Sequence, residues 1–330
     1  MLILKGGIKQ KIKMGEPISR LNPKIESRVN RDFIALSVSV LLSIAMLLKP
    51  VENKNRGKKP YDYRILLVLC ILRIMLRLSY EDYERVMRTD LRICNPLGLK
   101  ILPSKSTIQR AMKHLKFSLI RQFNQKLICC LIKRKLNIII DSTGMRCISR
   151  SVWYCIKIKK YTKKRDCNKI HLAVDADLLL ILNFRITRWN RNDNPFLEKL
   201  LKPFKLLGWI FADKGYLSRK NFQFCMDRQG CLFCPFKKGS TASPKSNPAW
   251  KFAFNLWILC NWVYMNPYHQ RSKIEAVNSA IKKRYGDSFK CRRKAMRFKE
   301  VALRFIAYNI FIILCYNYSV KHNLPLYVRA

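Results

Sequence analysis

Acidic residues are scarce in this chain: 20 Asp and Glu stand against 66 Lys and Arg, a net charge of +46 over 330 residues. Self-repulsion of that size disfavours a compact state unless a polyanion is near. Duplex DNA, with about one negative charge per ~1.7 Å of axis, is the expected partner. An anionic membrane surface is the other candidate, and a basic compositional bias is the bland alternative. Apolar runs of membrane-spanning length are also lacking. Residues 33–48 form an apolar run of 16 residues without charge, and the run at 305–315 is shorter. A spanning helix needs about 20, so both are expected as buried helices. The region before Phe33 is long and basic, with no small-residue cleavage site close behind the run, which makes a poor signal peptide. Paired CxxC motifs are missing too. The 13 cysteines are odd in number, and without a secretory signal they suggest reduced thiols in a cytosol. Cys231-Leu-Phe-Cys234 has no second pair at zinc-ribbon spacing and reads as a strand with buried thiols. Cys129-Cys130 reads as helix core.

What is present is apolar: 49% hydrophobic residues are enough for a real core and exclude a disordered polycation. Residues 1–32 read as a flexible basic arm and 50–60 as a polar break. Residues 62–91 read as two helices, the second capped by Ser79 with Asp82 in a capping-box position. A Pro/Gly-marked turn then leads to a short basic helix, Ser106 to Lys116. That order is compatible with a helix-turn-helix. Beyond it the pattern changes. Strands are expected at 136–143, 169–177, 179–189, 209–216 and 231–236. Helices are expected at 193–208, with Pro203 near its last turns, and at 218–230, closed by Gly230. A polar Ser/Pro loop at 239–248 and an aromatic-rich helix follow. The order β-β-β-α-β-α-β-α is mixed α/β, and there is no internal repeat.

Asp141 and Asp213 each end an apolar strand run, where ligands collect in α/β sheets. A carboxylate there costs burial energy unless it has a partner, and a hard cation such as Mg²⁺ is a natural one. Two metals ~3.5–4 Å apart can activate an attacking oxygen and stabilise a leaving one at phosphorus. Asp141 could instead cap a helix or close a turn, and Asp213 could pair with Lys214. Asp175 and Asp177 are rivals in a hairpin position. The stretch 266–287 reads as one helix with Asn266 as N-cap, Pro267 at its first position and Gly286 as its stop. Spacings of three, four and seven place Tyr268, Arg271, Glu275 and Lys282 on one face. Arg271 and Lys282 could hold phosphates beside a metal held by Glu275. A surface ion network, worth only ~0–1 kcal/mol per exposed pair, explains the pattern poorly.

With these residues the chain resembles the DDE transposases of bacterial and archaeal insertion sequences. Tyr268-x2-Arg271-x3-Glu275-x6-Lys282 reproduces the signature Y-(2)-R-(3)-E-(6)-K of the group numbered four and five among them. The stretch around Asp141, the strand pair with its following Asn-Asp element at 192–193, and "FADKGY" around Asp213 look like the group's other motifs. The likeness covers roughly residues 60–315. It implies an α/β fold: an RNase H-like domain with a mixed five-stranded sheet, plus a helical N-terminal region. It implies metal-dependent DNA cleavage at element ends and transfer of the 3′-OH into target DNA. Asp141, Asp213 and Glu275 would be the catalytic, metal-holding residues for Mg²⁺ or Mn²⁺, two ions in all. Tyr268 would position, Arg271 and Lys282 would clamp phosphates, and Lys214 would contact the backbone. Partners would be double-stranded DNA at terminal inverted repeats and targets, with a homo-oligomer on DNA, no small-molecule substrate and no membrane. The location would be the prokaryotic cytoplasm, with the nucleoid. The expected division is 1–59 arm and apolar helix, 60–130 helical DNA-binding region, 131–320 catalytic domain and 321–330 tail. The alternatives are a decayed or repurposed DNA-binding protein and a membrane-associated polycation acting through 33–48. A tyrosine recombinase is disfavoured, because Tyr268 lacks a His-x-x-Arg box. The sharpest expectation is geometric: Glu275 should lie near Asp141 and Asp213 in space.

Overall fold

The computed structural model describes residues 19–50, 60–132, 134–146, 167–243, 247–291 and 293–329. Most of the expected basic arm and of the polar break at 50–60 therefore lies outside the described residues, as do 244–246 of the Ser/Pro loop. The chain divides into two compact units. One is built mainly from 133–283, the other from 20–132 and 284–328.

The first unit is organised on five strands: β2 (Leu136–Arg146), β3 (Cys167–Asp175), β4 (Ile181–Arg188), β5 (Leu207–Ala212) and β6 (Cys231–Phe233). Their order across the sheet is β4-β3-β2-β5-β6. β2, β3 and β4 are antiparallel, whereas β5 and β6 run parallel to β2. This is the mixed sheet of the RNase H-like arrangement. β2 lies at its centre, and Ile138, Ile139 and Ile140 are completely buried on both of its faces. Such β-branched runs suit a strand covered on both sides. β2 continues five residues past Asp141, so the alternative of Asp141 as a helix cap falls away.

Three sequence expectations in this unit are corrected. The helix expected over 193–208 is only α8 (Phe196–Leu201). Pro203 cannot donate to a continuing helix, and the chain turns into β5 at Leu207. The helix expected over 218–230 is α9 (Arg219–Met226), and the left-handed residue behind it is Gln229, not Gly230. Gly230 serves a close approach instead: a Cβ there would lie 2.7 Å from Leu207 Cβ and 2.8 Å from Ile210 Cδ1. The helix expected over 266–285 is broken. Helix α10 (Pro248–Leu259) leads into α11 (Asn261–Tyr268), which contains both Asn266 and Pro267. A 3₁₀ turn, His269–Ser272, then precedes α12 (Lys273–Tyr285). The apolar residues Trp262 to Met265 carry helix into the segment from the N-terminal side, so Asn266 is no cap. Gly286, at φ 91°, does stop the last helix.

The helical unit holds β1 (Ser19–Leu21), α1 (Pro23–Arg31), α2 (Phe33–Met46), α3 (Tyr63–Met75), α4 (Tyr80–Thr89), α5 (Leu91–Cys94), α6 (Lys105–His114), α7 (Phe117–Cys129), α13 (Lys294–Lys321) and β7 (Tyr327–Arg329), β1 pairing with β7 at its margin. Residues 19–31, expected as arm, are ordered because Asn22 accepts Lys24 N–H, Pro23 follows it, and Ile25 and Val29 are buried. Ser79 caps α4 by accepting Asp82 N–H, as its spacing predicts. The short basic helix starts earlier than expected, capped by Ser104, and Glu84 accepts the N–H of Lys105. α13 packs on α1, α2, α3, α6 and α7, so the expected catalytic division of 131–320 differs from the compact units at its C-terminal side. Residues 300–315 of α13 are all buried, and the Arg304–Glu300 ion pair lies inside. Among the described residues no single helix is long and apolar enough to cross a membrane; α1 and α2 reach that composition only across an 82° bend.

Replacing Gly230 by Ala is expected to cost ~1–3 kcal/mol of stability, because the added methyl overpacks the β5 side. Gly144→Ala, where a Cβ meets nothing within 4 Å, is expected to change it by less than ~0.5 kcal/mol. Urea titration of the two variants against the parent checks both.

Candidate active site

The site begins with strand register. In the parallel pair of β2 and β5, Ile140 lies opposite Ala212. The residues that follow are Asp141, inside β2, and Asp213, just past the end of β5, so the two aspartates stand on neighbouring chain segments, and strands are ~4.8 Å apart. Asp213 precedes a short 3₁₀ turn, Lys214–Tyr216, without a side-chain cap hydrogen bond, and is exposed. Its carbonyl accepts Cys234 Sγ–H at 3.3 Å, and burial keeps that thiol protonated. Cys234 is fully buried and tied into the fold, in keeping with a structural role for the lone CxxC.

The 3₁₀ turn at 269–272 packs on both β2 and β5. It brings Arg271 to the strand ends. Arg271 Nη1 is 3.9 Å from Asp141 Oδ1, and Nη2 is 3.6 Å from Glu275 Oε1. Tyr268 faces Arg271 as well. Burial acts against the Arg271 charge, but Tyr268, Asp141, Asp213 and Glu275 outweigh it and raise its pKa. Arg271 is thus the meeting point of all three carboxylates. Burial is also the first cause holding the Asp141 carboxyl above its usual range. Repulsion from Asp213 and Glu275 adds to it, against the Ser142 N–H and Arg271.

On α12 the spacing Glu275, Asn278 and Lys282 puts three side chains on one face. They line a cleft of ≈ 480 Å³ together with Asp141, Thr143 and Lys283. Lys282 Nζ donates to Thr143 Oγ1 at 2.9 Å. The structure therefore gathers Asp141, Asp213, Glu275, Tyr268, Arg271 and Lys282 around one strand end. Tyr268 and Arg271 reach it from α11 and the 3₁₀ turn, not from the helix of Glu275. Lys214 is exposed on the turn after Asp213 and does not line the cleft. The rivals are elsewhere. Arg134 lies 2.8 Å from both Asp175 and Asp177, and Asp175 also accepts Leu178 N–H, which closes the β3–β4 turn. Asp175 pairs with Ile138 while Asp141 pairs with Leu172, three residues along the strand.

The donor chemistry fits a hard divalent cation: three carboxylates repel one another through a half-buried site, which is the environment a cation relieves. Among the described residues, however, no three His, Cys, Asp or Glu side chains converge closely enough to enclose an ion as they stand. The Glu275 side chain is 65% exposed and lies against Arg271.

A second group of residues surrounds Asp193 of the Asn-Asp element, and Lys169 and His171 in it were not singled out by sequence. Asp193, in the loop after β4, binds Lys169 Nζ at 2.8 Å and His171 Nδ1 at 3.2 Å. Burial alone would raise its pKa, but hydrogen bonds from His171, Lys169 and Ser142, with the Lys169 charge, hold it down at about 2. The signal was present: His171 is one of only four histidines and lies opposite Ser142 in the sheet.

A carboxylate depressed in the fold contributes stability above its unfolded pKa of about 4 and loses it as pH falls toward 2. Asp193→Asn should therefore flatten the acid limb of the stability curve between about pH 4 and pH 2, by about 2 kcal/mol. Urea midpoints measured across that window check it.

Residues 133–251 match the family model described as the transposase DDE domain. No curated protein matches the chain. Among solved structures, the piggyBac transposase synaptic complex with hairpin DNA is similar at TM-score 0.44 and 11% sequence identity, over 96% of this chain and 80% of that one. The stretch that matches the transposase DDE domain holds Asp141 and Asp213 and ends before Glu275.

Proposed function

We propose that the protein is a DNA transposase of the four/five group of insertion sequences, cutting phosphodiesters at element ends and joining the freed 3′-OH to target DNA. The observation that carries this reading is the register of β2 and β5: it sets two aspartates on neighbouring chain segments inside a stretch that matches the transposase DDE domain, with Arg271 and Glu275 packed over them.

Asp141, Asp213 and Glu275 would hold Mg²⁺ or Mn²⁺, which when bound would supply electrophilic activation at phosphorus and lower the pKa of the attacking water. The chain's own residues do the rest. Lys282 and Lys283, on the cleft wall, bind the phosphates flanking the cut. Arg271 presents a fork of N–H donors; once Glu275 swings away from it, that fork is available to a phosphate oxygen. Tyr268 holds Arg271 in place, and exposed Lys214 adds a contact to the DNA backbone. The surplus of cations gives affinity without sequence choice. The expected DNA contact by α6 is supported by its exposed Lys105, Arg110 and Lys113, although Glu84 and Glu81 occupy its N-terminal end. A copy that binds DNA without cutting it is the alternative.

With element-end DNA and Mg²⁺ or Mn²⁺, Asp141→Ala and Glu275→Ala should each lower cleavage at least ~10³-fold while DNA retention persists. Cleavage by both variants at the parental rate sinks the reading. A parent that retains DNA but never cuts it favours the alternative. Lys282→Ala should weaken binding on all sequences and reduce the salt slope by about 1, read from affinities at several salt concentrations.

A further inference from the structure

We propose that Asp193 is a positioning residue that locks β2 at Asp141 to the turn after β5 at Asp213, acting through His171 and its sheet partner Ser142 on one side and the turn after Asp213 on the other. The inference rests on the catalytic reading of those aspartates and assigns a duty that the reading leaves open: what holds them at a fixed spacing.

Asp141 and Asp213 repel each other, and Asp213 sits where β5 has already ended. Backbone pairing stops at Ala212, so side chains must hold the turn beyond it. The loop 192–195 does this from three directions. Asp193 Oδ1 lies 3.2 Å from His171 Nδ1, and His171 pairs across the sheet with Ser142, the residue next to Asp141. Asp193 also packs on Gly215, where a Cβ would come within 3.2 Å of its Oδ2, a tight contact that glycine avoids. Asn194 donates to Leu217 O at 3.1 Å, while Asn221 donates to Tyr216 O at 2.8 Å and reaches Asn194.

The same carboxylate is anchored from the sheet. Lys169 and His171 of β3 bind it. The buried His171 ring is fixed in turn by stacking on Phe196, with centroids 4.2 Å apart, and by Thr187 of β4, whose Oγ1 lies 3.1 Å from Nε2. The Tyr216 hydroxyl lies 3.4 Å from His171 Nδ1. Ser142, His171, Asp193 and Tyr216 thus form one network across β2, β3, the 192–195 loop and the turn after β5. Ser142 also borders the cleft, so the group reaches from the cleft edge to the 192–195 loop. Asp193 touches neither Asp141 nor Asp213. It acts on where their backbones stand, and such supporting shells change metal affinity typically 10–100-fold.

The test uses the full chain and Mn²⁺ alone, followed by water-proton relaxation, with thermal melting, DNA retention and cleavage measured in parallel. Asp193→Ala should melt cooperatively and retain DNA but bind Mn²⁺ at least ~10-fold more weakly. Asp193→Asn, which keeps one acceptor oxygen, turns the other into a donor and loses the charge, should bind Mn²⁺ more tightly than Asp193→Ala. Ser142→Ala should weaken Mn²⁺ binding in the same direction, and the double variant Asp193→Ala/Ser142→Ala should be no weaker than Asp193→Ala alone, as for residues acting in one chain. Parental Mn²⁺ affinity in folded Asp193→Ala overturns the proposal. So does Asp193→Asn no better than Asp193→Ala, which would make the effect one of charge through space. A parent that binds Mn²⁺ with these couplings yet cuts no DNA refutes the catalytic reading and leaves the positioning role standing. A parent that binds no Mn²⁺ overturns both.

Discussion

The sheet-bearing unit depends on one pairing, the parallel ladder of β2 and β5 that ends at Ile140 and Ala212. It is held by ordinary forces: β-branched and aromatic side chains buried on both faces, and backbone hydrogen bonds between the strands. Its consequence is not ordinary. The next residue along each chain segment is an aspartate, and two carboxylates held that close repel each other. Much of the surrounding structure answers that repulsion. Arg271 faces the carboxylates, and the Ser142–His171–Asp193–Tyr216 network braces the backbones.

The charge balance gives this arrangement its meaning. In a chain with 66 cationic side chains, an acidic residue near the sheet's end is easily satisfied by an ion pair. Asp175, Asp177 and Asp193 are satisfied in that way, by Arg134 and Lys169. Asp141, Asp213 and Glu275 are not: one guanidinium, at 3.6 to 3.9 Å from two of them, serves all three. A site that stays rich in negative charge within a basic protein is suited to bringing a cation and a phosphate backbone together. The cations of the cleft bind the polyanion, and the carboxylates hold what acts on it.

Much of this was legible in one dimension. The strands showed as β-branched apolar runs, the cap at Ser79 as a spacing of three, and the stop at Gly286 as a residue able to take φ 91°. Asp141 and Asp213 stood out because they end such runs, and Glu275 with Lys282 because seven residues make two helical turns. Helix ends were less legible. Pro267 lies inside α11, because apolar residues before it extend the helix, and α8 is short because Pro203 removes a donor. The long apolar run of α13 is buried all round, so its pattern has no period to say which unit it completes.

The sequence by itself determined which segments are strands and helices, how much positive charge the chain carries and which carboxylates end an apolar strand, because these follow from local periodicity and composition. Only the tertiary structure decided that Arg271 comes from a 3₁₀ turn packed on β2 and β5, that Asp175 and Asp177 belong to Arg134, and that Asp193 packs on the turn after Asp213. Those relations join residues tens of positions apart through strand register and loop packing. A register of period two can be read along one strand, but which strand lies beside it is settled only when the core closes.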